Sequence, residues 1–264
     1  MVQYTLYQFL PKTARSNLLE KTKRVHLIDE LRGLCIILVV IYHTFYSLVM
    51  IYNYEQLGEA FAVMRKIQPV LPATFILLSG IAFQLSRSNV KRGLKLLAVS
   101  AVMMLAIGVV MPSQMIWFGI IHFLAVMNIV LGLLKKYVDK IPAVAGIIIC
   151  AVLFVLTYNA QRGYVGIDGV LSLRLPDVLY STDIIAPLGF YSPGFRSSDY
   201  CPIIPWAFMF IIGTILGRYV GQLPETLSRA HIKPLAFVGR HTLIIYLVHQ
   251  PIIVGVLQLI EILR

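Results

Sequence analysis

Charge is what this chain is short of. Of its 264 residues only 13% are Asp, Glu, Lys or Arg, about half the share of a water-soluble domain, and so low a share excludes a soluble globular protein. Acidic residues are the scarcest, 12 against 23 Lys and Arg. Cysteine is nearly absent. Cys35, Cys150 and Cys201 form no CxxC and lie in or at the edge of apolar stretches, which excludes a disulfide framework and leaves them as small packing residues. No repeat, heptad or low-complexity tract is visible, so solenoids and coiled coils drop out. The first thirty residues hold no early apolar core with a small-residue cleavage site. No cleaved signal peptide is therefore expected, and the first apolar stretch must act as its own insertion signal.

What is present is hydrocarbon. Hydrophobic residues make up 58% of the chain and the mean hydropathy is +0.81. Apolar runs of about 18–22 residues recur, long enough to cross a core of roughly 30 Å. The expected fold is an all-α membrane protein of about seven transmembrane helices in one bundle: 31–52, 69–86, 93–111, 115–134, 141–158, 201–219 and 236–260. Residues 1–28 form a basic cytoplasmic segment, and 29–264 form the membrane domain. With the N-terminus cytoplasmic and the C-terminus outside, 17 of the 23 basic residues fall inside, a strong positive-inside bias. The net charge of +11 then reflects topology and anionic membrane lipid, with no need of nucleic acid. A multi-pass protein of the cell membrane follows. One outer loop, about 159–200, is far longer than the others. Its five glycines, four aspartates and four tyrosines suit an ordered lid or platform more than a linker.

Inside the spans the ionisable groups are few: His43, His122 and His249, with no carboxylate except Glu261 near the end. Arg32 and His43 stand out. Eleven residues are close to three helical turns, so both fall on one face, roughly 16 Å apart along the axis. An ionisable group deep in hydrocarbon is costly and marks a functional candidate. Arg32 alone could snorkel to the surface beside Asp29 and Glu30. His122 by itself fits an interhelical hydrogen bond, and His249, followed by Gln250 and Pro251, could bond the carbonyl that proline frees. Three imidazoles without carboxylates make a poor cation path and no metal site, but suit proton transfer near neutral pH. On the inner side Arg87, Lys91, Arg92 and Lys95 bracket one loop, and Arg240 opens the last span. Such cations hold lipid head groups or, alternatively, a phosphorylated cytoplasmic donor. On the outer side Asp199 precedes span six, as a helix cap or as a group that binds or activates an acceptor.

Five blocks now carry a resemblance. They are Asp29-Glu30-Leu31-Arg32-Gly33-Leu34, Phe75-Ile76-Leu77-Leu78-Ser79-Gly80, and Phe118-Gly119-Ile120-Ile121-His122. The last two are Asp199-Tyr200-x-Pro202-x-x-Pro205-Trp206 and Gly239-Arg240-His241-Thr242-Leu243-x-x-Tyr246-Leu247-x-His249-Gln250-Pro251. In order, from about residue 24 to 257, they resemble the bacterial branch of the heparan-alpha-glucosaminide N-acetyltransferase catalytic-domain family. Arg32-x10-His43 is separately similar to the arginine–histidine signature of the acyltransferase-3 family, in which the histidine is the proposed catalytic residue.

The resemblance implies transmembrane acyl transfer from acetyl-CoA or another acyl-CoA to a cell-envelope carbohydrate at the outer face. Arg32, Arg240, Arg87 and Arg92 would hold the donor phosphates. His43 would act as general base or be acylated itself, and His249 with Tyr246 would orient it or stabilise the oxyanion. Asp199 and the loop tyrosines would hold the sugar. One departure is plain: eukaryotic members place an acetyl-accepting histidine after span one, and residues 51–68 contain none. A transporter would want acids along a path or unwound, repeat-related helices, and neither is visible. A sensor is the other alternative, though the absence of lysine from span seven excludes a retinal Schiff base. The sequence leaves a homodimer open.

Overall fold

The computed structural model describes residues 25–222, 224 and 229–263, so most of the basic N-terminal segment lies outside the described residues. Helix α1, His26–Tyr46, continues as a π turn over Ser47–Ile51. Then follow α2 (Gly58–Ile67), α3 (Val70–Gln84), α4 (Asn89–Val110), α5 (Ile120–Leu133) and α6 (Ala143–Thr157). A two-stranded hairpin, β1 (Tyr164–Ile167) with β2 (Leu171–Arg174), interrupts the helices. The chain ends in α7 (Ile203–Gly217), α8 (Lys233–Arg240) and α9 (Thr242–Leu263). Among the described residues six helical stretches are long and apolar enough to cross a membrane. The seventh, α5, has 14 residues and spans about 21 Å at 1.5 Å per residue, short of a full core. An all-α membrane bundle is thus what forms.

Direction can be read from close approaches. Gly213 of α7 packs on Leu77 and Gly80, and Gly217 packs on Ile81 and Gln84, so α3 and α7 run parallel. Small residues four apart let the two backbones touch, which suits a setting where packing, not hydrophobicity, drives helix association. Gly93 lies on Ala125 and Ile129, and Gly132 lies on Asn89 and Val90; α4 and α5 are antiparallel. Tyr52 Oη donates to Val254 O at 3.2 Å and Gln250 Nε2 to Ser47 Oγ at 3.2 Å, so α9 runs parallel to α1. These three directions agree with a serpentine chain.

Several expected boundaries move: the first and third spans start earlier, at His26 and Asn89 instead of 31 and 93, and the last and fourth start later. The last span does not run unbroken from 236: it breaks at His241, and α8 lies as a separate helix across α1. Buried Glu30 holds it there, its Oε1 accepting the backbone N–H of His231 (2.5 Å) and Ile232 (2.8 Å). An acid at a helix start answers unpaired N–H groups and the helix dipole. The fourth span starts at Ile120 instead of 115, for a reason that belongs to the site.

The long loop folds on its own aromatic residues. Tyr180 Oη donates to Ala160 O and Tyr200 Oη donates to Ala186 O. Rings of Tyr191, Phe195 and Tyr200 cluster with centroids 5.0–5.2 Å apart.

At the opposite face Lys135 Nζ bonds both Gln84 Oε1 (2.5 Å) and Asp139 Oδ1 (3.1 Å), and Gln84 Nε2 donates to Asp139 Oδ1 (2.9 Å). Desolvation acts to raise the Asp139 carboxyl, but hydrogen bonds from Gln84 and Lys135 and the charges of Lys135 and Arg218 outweigh it and leave the pKa below its usual value. The folded state therefore binds this proton less readily than the unfolded chain. Its contribution is present above the ordinary carboxylate pKa and fades as pH falls through the lowered one. Asp139→Asn should melt below wild type at neutral pH, and the gap should narrow on acidification through the carboxylate range. A gap independent of pH would refute the assignment.

Candidate active site

Among the described residues two adjoining cavities open into the bundle, and α1 shows why. Arg32, Ile36, Val39 and His43 recur at four, three and four residues, one stripe of a helix. Arg32 lines a cavity of about 480 Å³. Ile36, Val39 and His43 line another of about 770 Å³. The two share a wall of Phe75, Val99, Ile120 and Tyr246.

The smaller cavity is cationic. Arg32 comes from α1, Lys91, Arg92 and Lys95 from the start of α4, and Arg240 from the end of α8. Backbone contacts steady some of them: an Arg32 Nη donates to Leu78 O and an Arg92 Nη to Ala82 O, each at 3.4 Å. The Arg240 guanidinium lies 5.7 Å from the Phe237 ring. Arg87 is exposed and lines neither cavity. The sequence cluster of four cations is thus split: Arg92 and the exposed Lys91 and Lys95 line the cavity, and Arg87 does not.

The larger cavity holds the histidines. The His43 and His249 ring centroids are 4.9 Å apart, and Tyr42 and Tyr46 stand beside His43 at 5.5 and 6.4 Å. His249 Nδ1 lies 2.6 Å from Tyr246 O. A carbonyl only accepts, so the hydrogen is on Nδ1 and the Nε2 lone pair is left. That Nε2 is buried without a hydrogen-bond partner among the described residues. The partner is Tyr246 O and not Leu247 O, the carbonyl four residues before Pro251 that the proline frees; the bond still fixes the tautomer of a base whose other nitrogen stays available. His122 lines neither cavity; it stacks on Phe118 at 5.9 Å.

Asp199 lies elsewhere than the sequence suggests. Expected at the outer end of span six, it is drawn into the bundle. By the Gly93 and Gly132 contacts, the first turn of α5 lies level with about Ser100, halfway along α4. Asp199 Oδ2 accepts the N–H of Ile120 at 3.3 Å and the hydroxyl of Tyr246. The carboxylate thus serves the start of α5, not its own helix. Gly119 permits this approach, because a Cβ there would lie 2.8–2.9 Å from Asp199 oxygens. Asp199 lines the same cavity as His43 and His249, so the site does contain a carboxylate.

Asp199 reaches this depth on a strand-like pair of segments. Ser198 N donates to Met115 O (3.1 Å), Cys201 N to Phe118 O (2.8 Å), and Trp117 N to Ser197 Oγ (3.1 Å). Irregular backbone at membrane depth is tolerated where it is buried or lines a cavity, and Gln114, Ile116, Ser198 and Asp199 all line the larger one. Pro112, Pro202 and Pro205 punctuate these stretches in the sequence and are the signal that hydropathy alone passes over.

Three comparisons bear on this geometry. Neither a curated protein nor a solved structure matches the chain. The pattern that defines the family described as "Heparan-alpha-glucosaminide N-acetyltransferase, catalytic" matches residues 24–251. That span contains every residue of both cavities named above, and the chain belongs to this family of membrane acetyltransferases.

Proposed function

We propose that the protein, in the cell membrane, takes an acetyl group from acetyl-CoA on the cytoplasmic side and delivers it to a carbohydrate at the outer face. The observation that carries this reading is the pair of cavities, one ringed by fixed cations and one holding two histidines, divided only by Phe75, Val99, Ile120 and Tyr246. The basic residues concentrate on the face where the cationic cavity lies, and positive charge marks the cytoplasmic side. Phosphates of the donor suit Arg32, Arg92 and Arg240, since guanidinium forks read phosphate oxygens well. The pantetheine arm would pass the shared wall and bring the thioester beside His43. His249, with Nδ1 tied to a carbonyl, takes the proton of the attacking amine or hydroxyl at Nε2. His43 stands beside it to donate to the departing sulfur or to carry the acyl group.

Donor binding tests the reading without knowledge of the acceptor. Acetyl-CoA should raise the melting temperature of the purified protein, and acetylated pantetheine, which lacks the phosphates, should not. Arg92→Ala and Arg240→Ala should each weaken binding by about tenfold or more, the worth of one charge-assisted hydrogen bond. Equal shifts with pantetheine, or unchanged affinity in both variants, would count against a phosphate site. Broken helices at mid-membrane also serve transporters; a complete lack of response to CoA compounds would favour that class.

A further inference from the structure

The larger cavity is two-faced. Polar groups gather at one end: His43, His249, Gln250, Asp199, Ser198 and Gln114. Along α4 the wall is hydrocarbon. Ala98, Val102 and Ala106 recur every four residues on one stripe, joined by Met103 and Ile107, and none offers a side-chain hydrogen bond. Val102 lines this cavity yet is 67% exposed. The wall is therefore open at that point, midway along a membrane helix. Outside it lies the bilayer interior. Backbone packing agrees, since α4 packs extensively on α5 but scarcely approaches α1 or α3, leaving a lateral gap between them.

A free glycan fits this poorly, because a sugar displays hydroxyls on every side and a buried hydroxyl without a partner is penalised. An acetyl group has two carbons and does not occupy the stripe. Building on the acyl-transfer reading, we propose that the acceptor is a membrane-dissolved amphiphile, a sugar carried on an alkyl or isoprenoid chain. It enters sideways between α4 and α1/α3, lays its chain along Ala98, Val102 and Ala106, and presents its head group to His43 and His249. The transfer itself is unchanged: the acceptor's nitrogen or oxygen forms the new bond to the acetyl carbon, the carbon–sulfur bond breaks, the acceptor's proton passes to His249 and through the adjacent His43 to the departing sulfur, and CoA leaves as the thiol.

The test uses the full chain in lipid nanodiscs with radiolabelled acetyl-CoA and three glucosaminides of identical head group, the methyl, octyl and dodecyl glycosides. Transfer efficiency is expected to rise about tenfold or more from methyl to dodecyl, given the value of each methylene buried. Partition into the disc could raise the apparent rate by itself, so Val102→Trp is measured beside wild type. Partition is the same for both, and the bulky ring should erase the advantage of the long chain. Equal use of methyl and dodecyl glycosides by wild type, or an undiminished chain preference in Val102→Trp, overturns this inference and leaves acyl transfer standing. Preference for decanoyl-CoA over acetyl-CoA with the methyl glycoside would assign the wall to the donor and overturn it as well. No transfer to any glycoside would overturn the acyl-transfer reading and this inference together.

Discussion

Replacing His43 with alanine is expected to lower acetyl transfer by about 10²–10⁴-fold, the usual worth of a positioned acid–base group, while acetyl-CoA still raises the melting temperature. His249→Ala should fall in the same range. The most informative protein is the double variant. The two rings are 4.9 Å apart in one cavity, and groups acting as a unit lose most of their effect with the first removal. The double variant should therefore be about as slow as the slower single one, instead of showing the product of the two losses. Donor binding should survive in all three, since Arg32, Arg92 and Arg240 lie in the other cavity. Wild-type turnover in His43→Ala would end the assignment. Fully multiplicative losses would mean that the two histidines act in separate steps.

Much of this is legible in the sequence, and the reason is length. Hydrophobic runs near twenty residues and the alternation of basic loops give a serpentine bundle with little freedom. The spacing of Arg32 and His43 fixes both on one helical stripe, whatever the tertiary packing. Asp199 escapes such reasoning because its position depends on a partner eighty residues away. Segments 114–119 and 197–201 satisfy their backbones with each other, and hydropathy scores side chains without registering that exchange. The same gap makes α5 look as if it began five residues earlier than it does. Gly213 and Gly217, four residues apart in α7, are a packing signal read only once Leu77 and Ile81 are seen against them. The break at His241 falls in Arg240-His241-Thr242, a polar interruption too short for hydropathy to separate the apolar stretches around it.

That break sets up the largest expected effect on stability. Gly239, the penultimate residue of α8, lies so close to α1 that a Cβ there would fall 1.7 Å from Asp29 O. Gly33, facing it, is as crowded, with Leu235 O at 2.1 Å from its own Cβ position. These obstacles are backbone carbonyls, which cannot rotate aside as a side chain end can. Gly239→Val must push α8 off α1, and overpacking of this kind costs about 1–3 kcal/mol or more. The displacement is also functional. Arg240 is the next residue, and Thr242 Oγ1 donates to Gly239 O at 2.6 Å, so the turn into α9 moves with it. Acetyl-CoA affinity should therefore fall along with the melting temperature. Gly255 provides the control: it lies in α9, where an added Cβ would meet nothing within 4 Å, and Gly255→Ala should leave both quantities near wild type. A Gly239→Val protein with wild-type melting and wild-type donor affinity would show that α8 does not hold Arg240 against α1.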